Sequence, residues 1–144
     1  MPPWEVEARE EIRDLVARYN SNGDSGRFAQ VIELFAEDAV MDTDGVLHTG
    51  HDEIMTIFTG AQERTTEPGQ APPYLRHMTA THQIDVIDED HASGRCYFQV
   101  LTHVGLDHWG RYVDTYRRID GTWRFASRRV SVDGHSPDSI LVPT

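Results

Sequence analysis

Residues 110–130 read GRYVDTYRRIDGTWRFASRRV, and at the centre of that stretch Asp120-Gly121 separates two alternating, aromatic-rich runs. Asp-Gly in this setting predicts a tight β-hairpin, because the turn asks for positive φ and these two residues tolerate it. Ahead of the turn Tyr112, Asp114, Tyr116 and Arg118 share one strand face, and Arg111, Val113, Thr115, Arg117 and Ile119 the other. After it Trp123, Phe125, Ser127 and Arg129 alternate with Arg124, Ala126, Arg128 and Val130. Neither face is purely apolar. Large apolar groups and charges on one face predict a curved sheet that lines a cavity or a subunit interface.

Upstream of the hairpin, strands are expected at 76–87 and 92–104, turning at Asp88-Glu89-Asp90 and at Gly105-Leu106-Asp107. With 108–119 and 123–132 they form an antiparallel meander. Further back the period changes to that of helices. In 4–21 the residues Ile12, Leu15, Val16 and Tyr19 form one stripe, with Gly23 as the expected left-handed cap. Asp24 or Ser25 is expected to cap a second helix over 26–36, whose stripe is Phe28, Val31, Ile32 and Phe35 and which closes at Glu37-Asp38. A short strand at 39–42, a tight turn at Asp44-Gly45 and a return at 46–48 lead to a third helix over 50–64. There Thr49-x-x-Asp52 resembles a capping box, and Ile54, Ile57, Phe58 and Ala61 form the stripe. The segment ERTTEPGQAPP at 63–73 reads as a mobile loop, a candidate lid. The tail from Asp133 ends in ILVPT and is expected to dock on a neighbour or fray.

Helices first and a strand meander after them predict an α+β fold, with three N-terminal helices packed on the concave face of a strongly bent antiparallel sheet. The 144 residues fit a single domain over 1–144. Hydrophobic residues make up 38% and charged residues 26%, a globular balance. A formal net charge of −11 argues against nucleic acid and anionic membranes, which need a basic footprint. Cys96 is the lone cysteine and rules out an internal disulfide, which favours a cytoplasmic setting. No run is long and apolar enough for a membrane helix, and MPPWEVEARE lacks the features of a signal peptide.

The helix ending in Tyr19, LFAEDAV at 34–40, HTGHDEI at 48–54, RHM at 76–78 and the closing 110–130 stretch together resemble the SnoaL-like branch of the nuclear transport factor 2-like superfamily. The resemblance spans about residues 8–132. It implies a cone-shaped α+β barrel with a deep pocket for a small hydrophobic ligand, assembled as a homodimer or higher homo-oligomer. The superfamily includes scytalone dehydratase, bile-acid dehydratase, ketosteroid isomerase, limonene epoxide hydrolase and polyketide cyclases, along with proteins that only bind. Fold alone does not choose among these.

Five residues are candidates for catalysis. Tyr19 is either a core tyrosine or, as in the dehydratases it resembles, a phenol that polarises a carbonyl. Asp24 is either a helix cap or the acid that bile-acid dehydratase has at this spacing from its tyrosine. Asn20 departs from the scytalone dehydratase pattern, which has Asp directly after the tyrosine. His77 resembles the dehydratases' general base, since an imidazole can take a proton beside a carbonyl and return it to a leaving hydroxyl. His103 shares the parity of Tyr97, Gln99 and Leu101. It is either a strand-end surface histidine or a second catalytic one. Asp114 lies between two tyrosines and is either paired with Arg128 or Arg111, or an acid or base as in the polyketide cyclases, or the group that holds the tautomer of His77. Asp42 falls one position early for the isomerase base, and the Asp-Arg-Asp set of the epoxide hydrolase is not recognisable.

No metal is expected. His48-x-x-His51 and Asp107-His108, the latter placed in a turn, lack a third ligand. No phosphate loop or nucleophile elbow is present, so cofactor-free chemistry is expected. Two functions follow. One is a cofactor-independent lyase or isomerase, dehydratase-like, acting on a cyclic carbonyl compound of polyketide or steroid type. The other is a binding or scaffold protein with the same cone. Trp109, Val113 and Trp123 or Phe125 on the outer faces of the last strands would form the subunit interface.

Overall fold

Asp120 and Gly121 both take positive φ, 50° and 79°, and join β5 (Gly105–Ile119) to β6 (Thr122–His135) in the tight hairpin their chemistry predicts. In the computed structural model, which describes residues 1–142, the preceding elements are α1 (Pro3–Asp24), α2 (Phe28–Ile32), β1 (Phe35–Thr43), β2 (Val46–Thr49), α3 (Gly50–Thr65), β3 (Arg76–Val86) and β4 (His91–Thr102). The six strands form one sheet in the order β2-β1-β6-β5-β4-β3. It curls around the helices without closing, an α+β cone. All neighbours pair antiparallel except β1 and β6, which run parallel.

The helices bury the stripes that their periodicity marks. Ile12, Leu15, Val16 and Tyr19 of α1 and Ile54 of α3 are buried against the concave sheet face with Phe35, Met41, Ile84, Phe98, Tyr112, Tyr116, Trp123 and Phe125. Each such side chain contributes about 1.5–3 kcal/mol by leaving water.

A β-bulge reorganises the last strand. Thr115 pairs with Ser127 but Tyr116 with Phe125, so Ala126 is the extra residue. A one-residue slip exchanges strand faces. Trp123 and Phe125 therefore point inward, and so does Arg128, which simple alternation places opposite them. Neither Trp123 nor Phe125 lies on the outer face expected for them.

Other expectations are corrected in the same way. The second helix stops at Ile32, and Phe35 begins β1 and pairs with Phe125. The free edge of β6 draws residues 35–43 into strand pairing, which overrides the helical period. Gly23 lies within α1, and positive φ falls at Gly26 instead. Asp24 caps nothing, since the residue before α2 is Arg27. Thr49 makes no capping bond with its side chain; its backbone N–H donates to Glu53 Oε2 at 3.3 Å. The first part of the 63–73 segment is helical as far as Thr65. The turn after β4 is His103-Val104, because Thr102 already pairs with Gly105, whose φ is 88°. Asp107 and His108 are thus buried residues of β5. Part of the tail docks on its own chain, where Ser139 and Ile140 bond to Asp107, while Pro143 and Thr144 lie outside the described residues.

Candidate active site

Between α3 and the concave sheet face lies a cavity of about 490 Å³, walled on one side by Ile57, Phe58 and Ala61 of α3. Its floor holds Tyr19, Asn20, Phe98 and Tyr112, and Leu141 and Val142 of the tail close part of the rim. Apolar side chains make up much of the wall and polar ones such as Asn20, Asp24, Gln62, Arg64, His77 and His108 are set among them, a form that suits a small-molecule site.

Two of the polar groups form a pair. Asp24, the last residue of α1, meets His77, the second residue of β3. Asp24 Oδ1 lies 2.5 Å from His77 Nδ1, and Oδ2 accepts the backbone N–H of His77 at 2.8 Å. A carboxylate at a helix C-terminus works against the helix dipole. Its place here is accounted for by the histidine, which it anchors at both ring and backbone. The carboxylate accepts at Nδ1, so the Nδ1 proton is held there and the lone pair sits on Nε2. His77 Nε2 has no hydrogen-bond partner among the described residues, yet it is not sealed from solvent, and both residues line the cavity.

Tyr19 also lines the cavity, where the Arg128 guanidinium acts on its hydroxyl through charge and hydrogen bonding. Burial raises the phenol above its ordinary value, against an opposing pull from Arg128, so the hydroxyl keeps its proton as a donor. The ring meets Phe35, Phe58, Tyr112 and Phe125 edge-on and lies 4.3 Å from the Arg128 guanidinium.

Asp114 is beneath the site and not in it. Arg128 grips it through two hydrogen bonds, Nε to Oδ1 at 2.8 Å and Nη2 to Oδ2 at 2.9 Å, with both side chains fully buried. Tyr116 Oη donates to the same Oδ2 at 2.8 Å, and His82 Nε2 contacts that hydroxyl at 3.1 Å. The guanidinium is stacked among the rings of Tyr19, Tyr112 and Phe125. The pairing with Arg128 is thus the one realised, and Asp114 does not touch His77. His103 is an exposed turn residue on the outer face it shares with Tyr97, and it does not line the cavity.

In its stead the fold brings in His108. Its Nδ1 lies 2.7 Å from Asp107 Oδ1, and its ring borders the cavity. Reading Asp107-His108 as a turn hid this residue. The signal that reveals it is parity, since His108, Gly110 and Tyr112 share a strand face. Among the described residues no three His, Cys, Asp or Glu side chains converge as a metal site would require. No helix among them is long and apolar enough to cross a membrane.

An unclosed, curled six-stranded sheet holding three helices around such a cavity defines the nuclear transport factor 2-like class. Within it this chain belongs to the SnoaL-like domain family, whose profile matches residues 4–129. Among solved structures it is similar to a protein from Novosphingobium aromaticivorans provisionally described as a scytalone dehydratase (20% identity, 94% of this chain and 91% of that one, TM-score 0.80). It is similar also to LinA (15% identity, 98% and 97%, TM-score 0.79). A third is a nuclear transport factor 2-like protein with a cystatin-like fold from Novosphingobium aromaticivorans (26% identity, 95% and 90%, TM-score 0.76). No curated protein matches the chain in sequence.

Proposed function

We propose that the protein is a cofactor-independent lyase or isomerase that acts by acid–base catalysis on a small, hydrophobic cyclic carbonyl compound, with dehydration as the reaction. The observation that carries this reading is the Asp24–His77 pair at the cavity wall, with an unpartnered Nε2 that faces the same space as Tyr19. The likeness to a scytalone dehydratase and to LinA supports it at the level of fold.

The chemistry follows from these groups. His77 Nε2 removes a proton from the carbon beside the substrate carbonyl. The electron pair moves onto the carbonyl oxygen, where the Tyr19 hydroxyl donates to the developing negative charge. The enolate then collapses, the carbon–oxygen bond at the next carbon breaks, and the hydroxide leaves with the proton carried by His77, as water. Asp24 keeps the imidazole in one tautomer and one orientation throughout. An isomerisation would use the same first step.

His77→Ala is expected to lower kcat about a hundredfold or more with ligand affinity nearly intact, because proton transfer matters only in the transition state. Tyr19→Phe and Asp24→Asn should also lower kcat. The assay screens hydroxylated cyclic ketones for loss of water, and parental turnover by His77→Ala would remove His77 from the mechanism. The second reading, a binding protein without turnover, draws on one observation: Arg128 locks Asp114 and so withdraws one acid from the site. Tight binding of such ketones with no reaction would favour it. We place the protein in the cytoplasm as a homo-oligomer, on the grounds of its single buried cysteine and its exposed apolar outer sheet face.

A further inference from the structure

His77 has a counterpart across the sheet. On β4 Val100 pairs with His77 of β3 on one side and with His108 of β5 on the other, so the two histidines lie in one row. Directly paired residues share a sheet face, and two strand spacings place their backbones about 10 Å apart. Val100 between them is fully buried, and the Phe98 ring stands 6.4 Å from the His77 ring and 6.0 Å from that of His108. Both histidines border the cavity.

His108 is also held more firmly than a core histidine would need. Asp107 is fully buried, and its carboxylate accepts from Thr102 Oγ1 at 3.1 Å, Ser139 Oγ at 2.5 Å and the Ile140 N–H at 2.9 Å in addition to its contact with His108 Nδ1. Those three donors leave the carboxylate as an acceptor toward the ring, so the proton belongs on Nδ1 and the lone pair on Nε2. That Nε2 has no partner among the described residues and is not sealed. Burial further favours the neutral ring, against the opposing effect of Asp107. A fixed, neutral imidazole with an open lone pair is an acceptor awaiting a donor, and with no protein partner for it among the described residues a ligand or water supplies one.

We propose that His108 is a specificity-determining residue that accepts a hydrogen bond from a hydroxyl of the substrate remote from the reacting carbon, so that the substrates are polyhydroxylated cyclic carbonyl compounds. Asp107 is its positioning residue, and the tail completes the site through Ser139 and Ile140. The inference rests on the cavity being the substrate site of the proposed reaction. It adds a second polar anchor on the sheet wall of the cavity, two strands from His77.

The test compares binding of 1-indanone with that of its ring-hydroxylated isomers by titration calorimetry. The parent protein is expected to bind at least one hydroxylated isomer about 3- to 10-fold more tightly than 1-indanone, the effect of one good neutral hydrogen bond. His108→Phe should bring the ratio of the two affinities to about one, and His108→Gln, whose amide oxygen also accepts, should recover part of the preference. If His108→Phe does not fold, the glutamine variant and the ¹⁵N shifts of the His108 ring in the parent protein decide. The shifts should show a protonated Nδ1, and an Nε2 resonance that moves when the hydroxylated isomer binds. A parent protein with no such preference, or a preference that survives His108→Phe, overturns the proposal. If the preference holds but no compound turns over, the catalytic reading falls and the role of His108 stands. If turnover depends on His77 but the preference ignores His108, the reverse holds.

Discussion

Asp114 and Arg128 show how little a titratable residue in a cone need have to do with chemistry. Burial alone would pull the arginine down, but the charge and hydrogen bonds of Asp114 hold it above its ordinary value. Removing one partner strands a buried charge, at a cost of about 3–5 kcal/mol, whereas replacing both by apolar groups can be nearly neutral. Asp114→Leu and Arg128→Met are each expected to lower unfolding free energy by about that amount in urea, and the double variant by less than the sum. Additive losses would mean that the pair is not a unit. His108 and His82 carry a second expectation. Burial holds both imidazoles below their ordinary range, so the unfolded chain binds protons that the folded one refuses. Their contribution is fully present above about pH 6.5 and is lost as pH falls through that value toward the folded ones. Melting temperatures should therefore drop between about pH 7 and 5, and less steeply in His108→Gln. An unchanged slope in that variant would exclude His108 as a source.

At the scale of the element, the bulge at Ala126 decides what β6 offers the interior. It lets Trp123 and Phe125 fill the core near the hairpin and then turns Arg128 inward to meet Asp114. Deleting Ala126 restores plain alternation and carries Arg128 to the outer face, leaving Asp114 alone. The deletion is expected to abolish cooperative folding, seen as loss of near-ultraviolet circular dichroism. A folded deletion variant with parental stability would show that the bulge is incidental. The neighbouring strand has no such slack. A Cβ added at Gly110 would come within 2.0 Å of the Ser131 carbonyl and 2.9 Å of the Phe98 ring, so only glycine fits there.

At the scale of the whole molecule, the convex sheet face carries large exposed apolar side chains among polar ones. Met78, Tyr97, Leu101, Leu106 and Trp109 are exposed on β3, β4 and β5. Register brings Met78 to Gln99 and Gln99 to Trp109, and Arg76 to Leu101 and Leu101 to Leu106, so these apolar residues lie close together on adjacent strands. Apolar surface of this kind marks association. Sedimentation is expected to give a homodimer or larger species at micromolar concentration, and Trp109→Glu should shift it toward monomer. A monomeric parent protein at that concentration would refute the expectation.

The local signals in the chain were sufficient for its class. Two Asp-Gly turns, three helical stripes and a run of alternating strands specify helices on a bent sheet, and Tyr19 and His77 stood out through the resemblance to the dehydratases. These features act over a few residues, where propensity and patterning are strong. What required the tertiary structure were the relations across the fold. Asp24 was more readily legible as a cap until the strand carrying His77 came beside it. Asp114 could pair with either of two arginines until a bulge brought Arg128 inward. His108 stayed hidden because the turn at His103-Val104 lies two residues earlier than its glycine suggested, and that shift moved Asp107 and His108 from a loop into the cavity wall. Register, bulges and the docking of the tail are settled by pairing between distant segments, and no local run of residues encodes them alone.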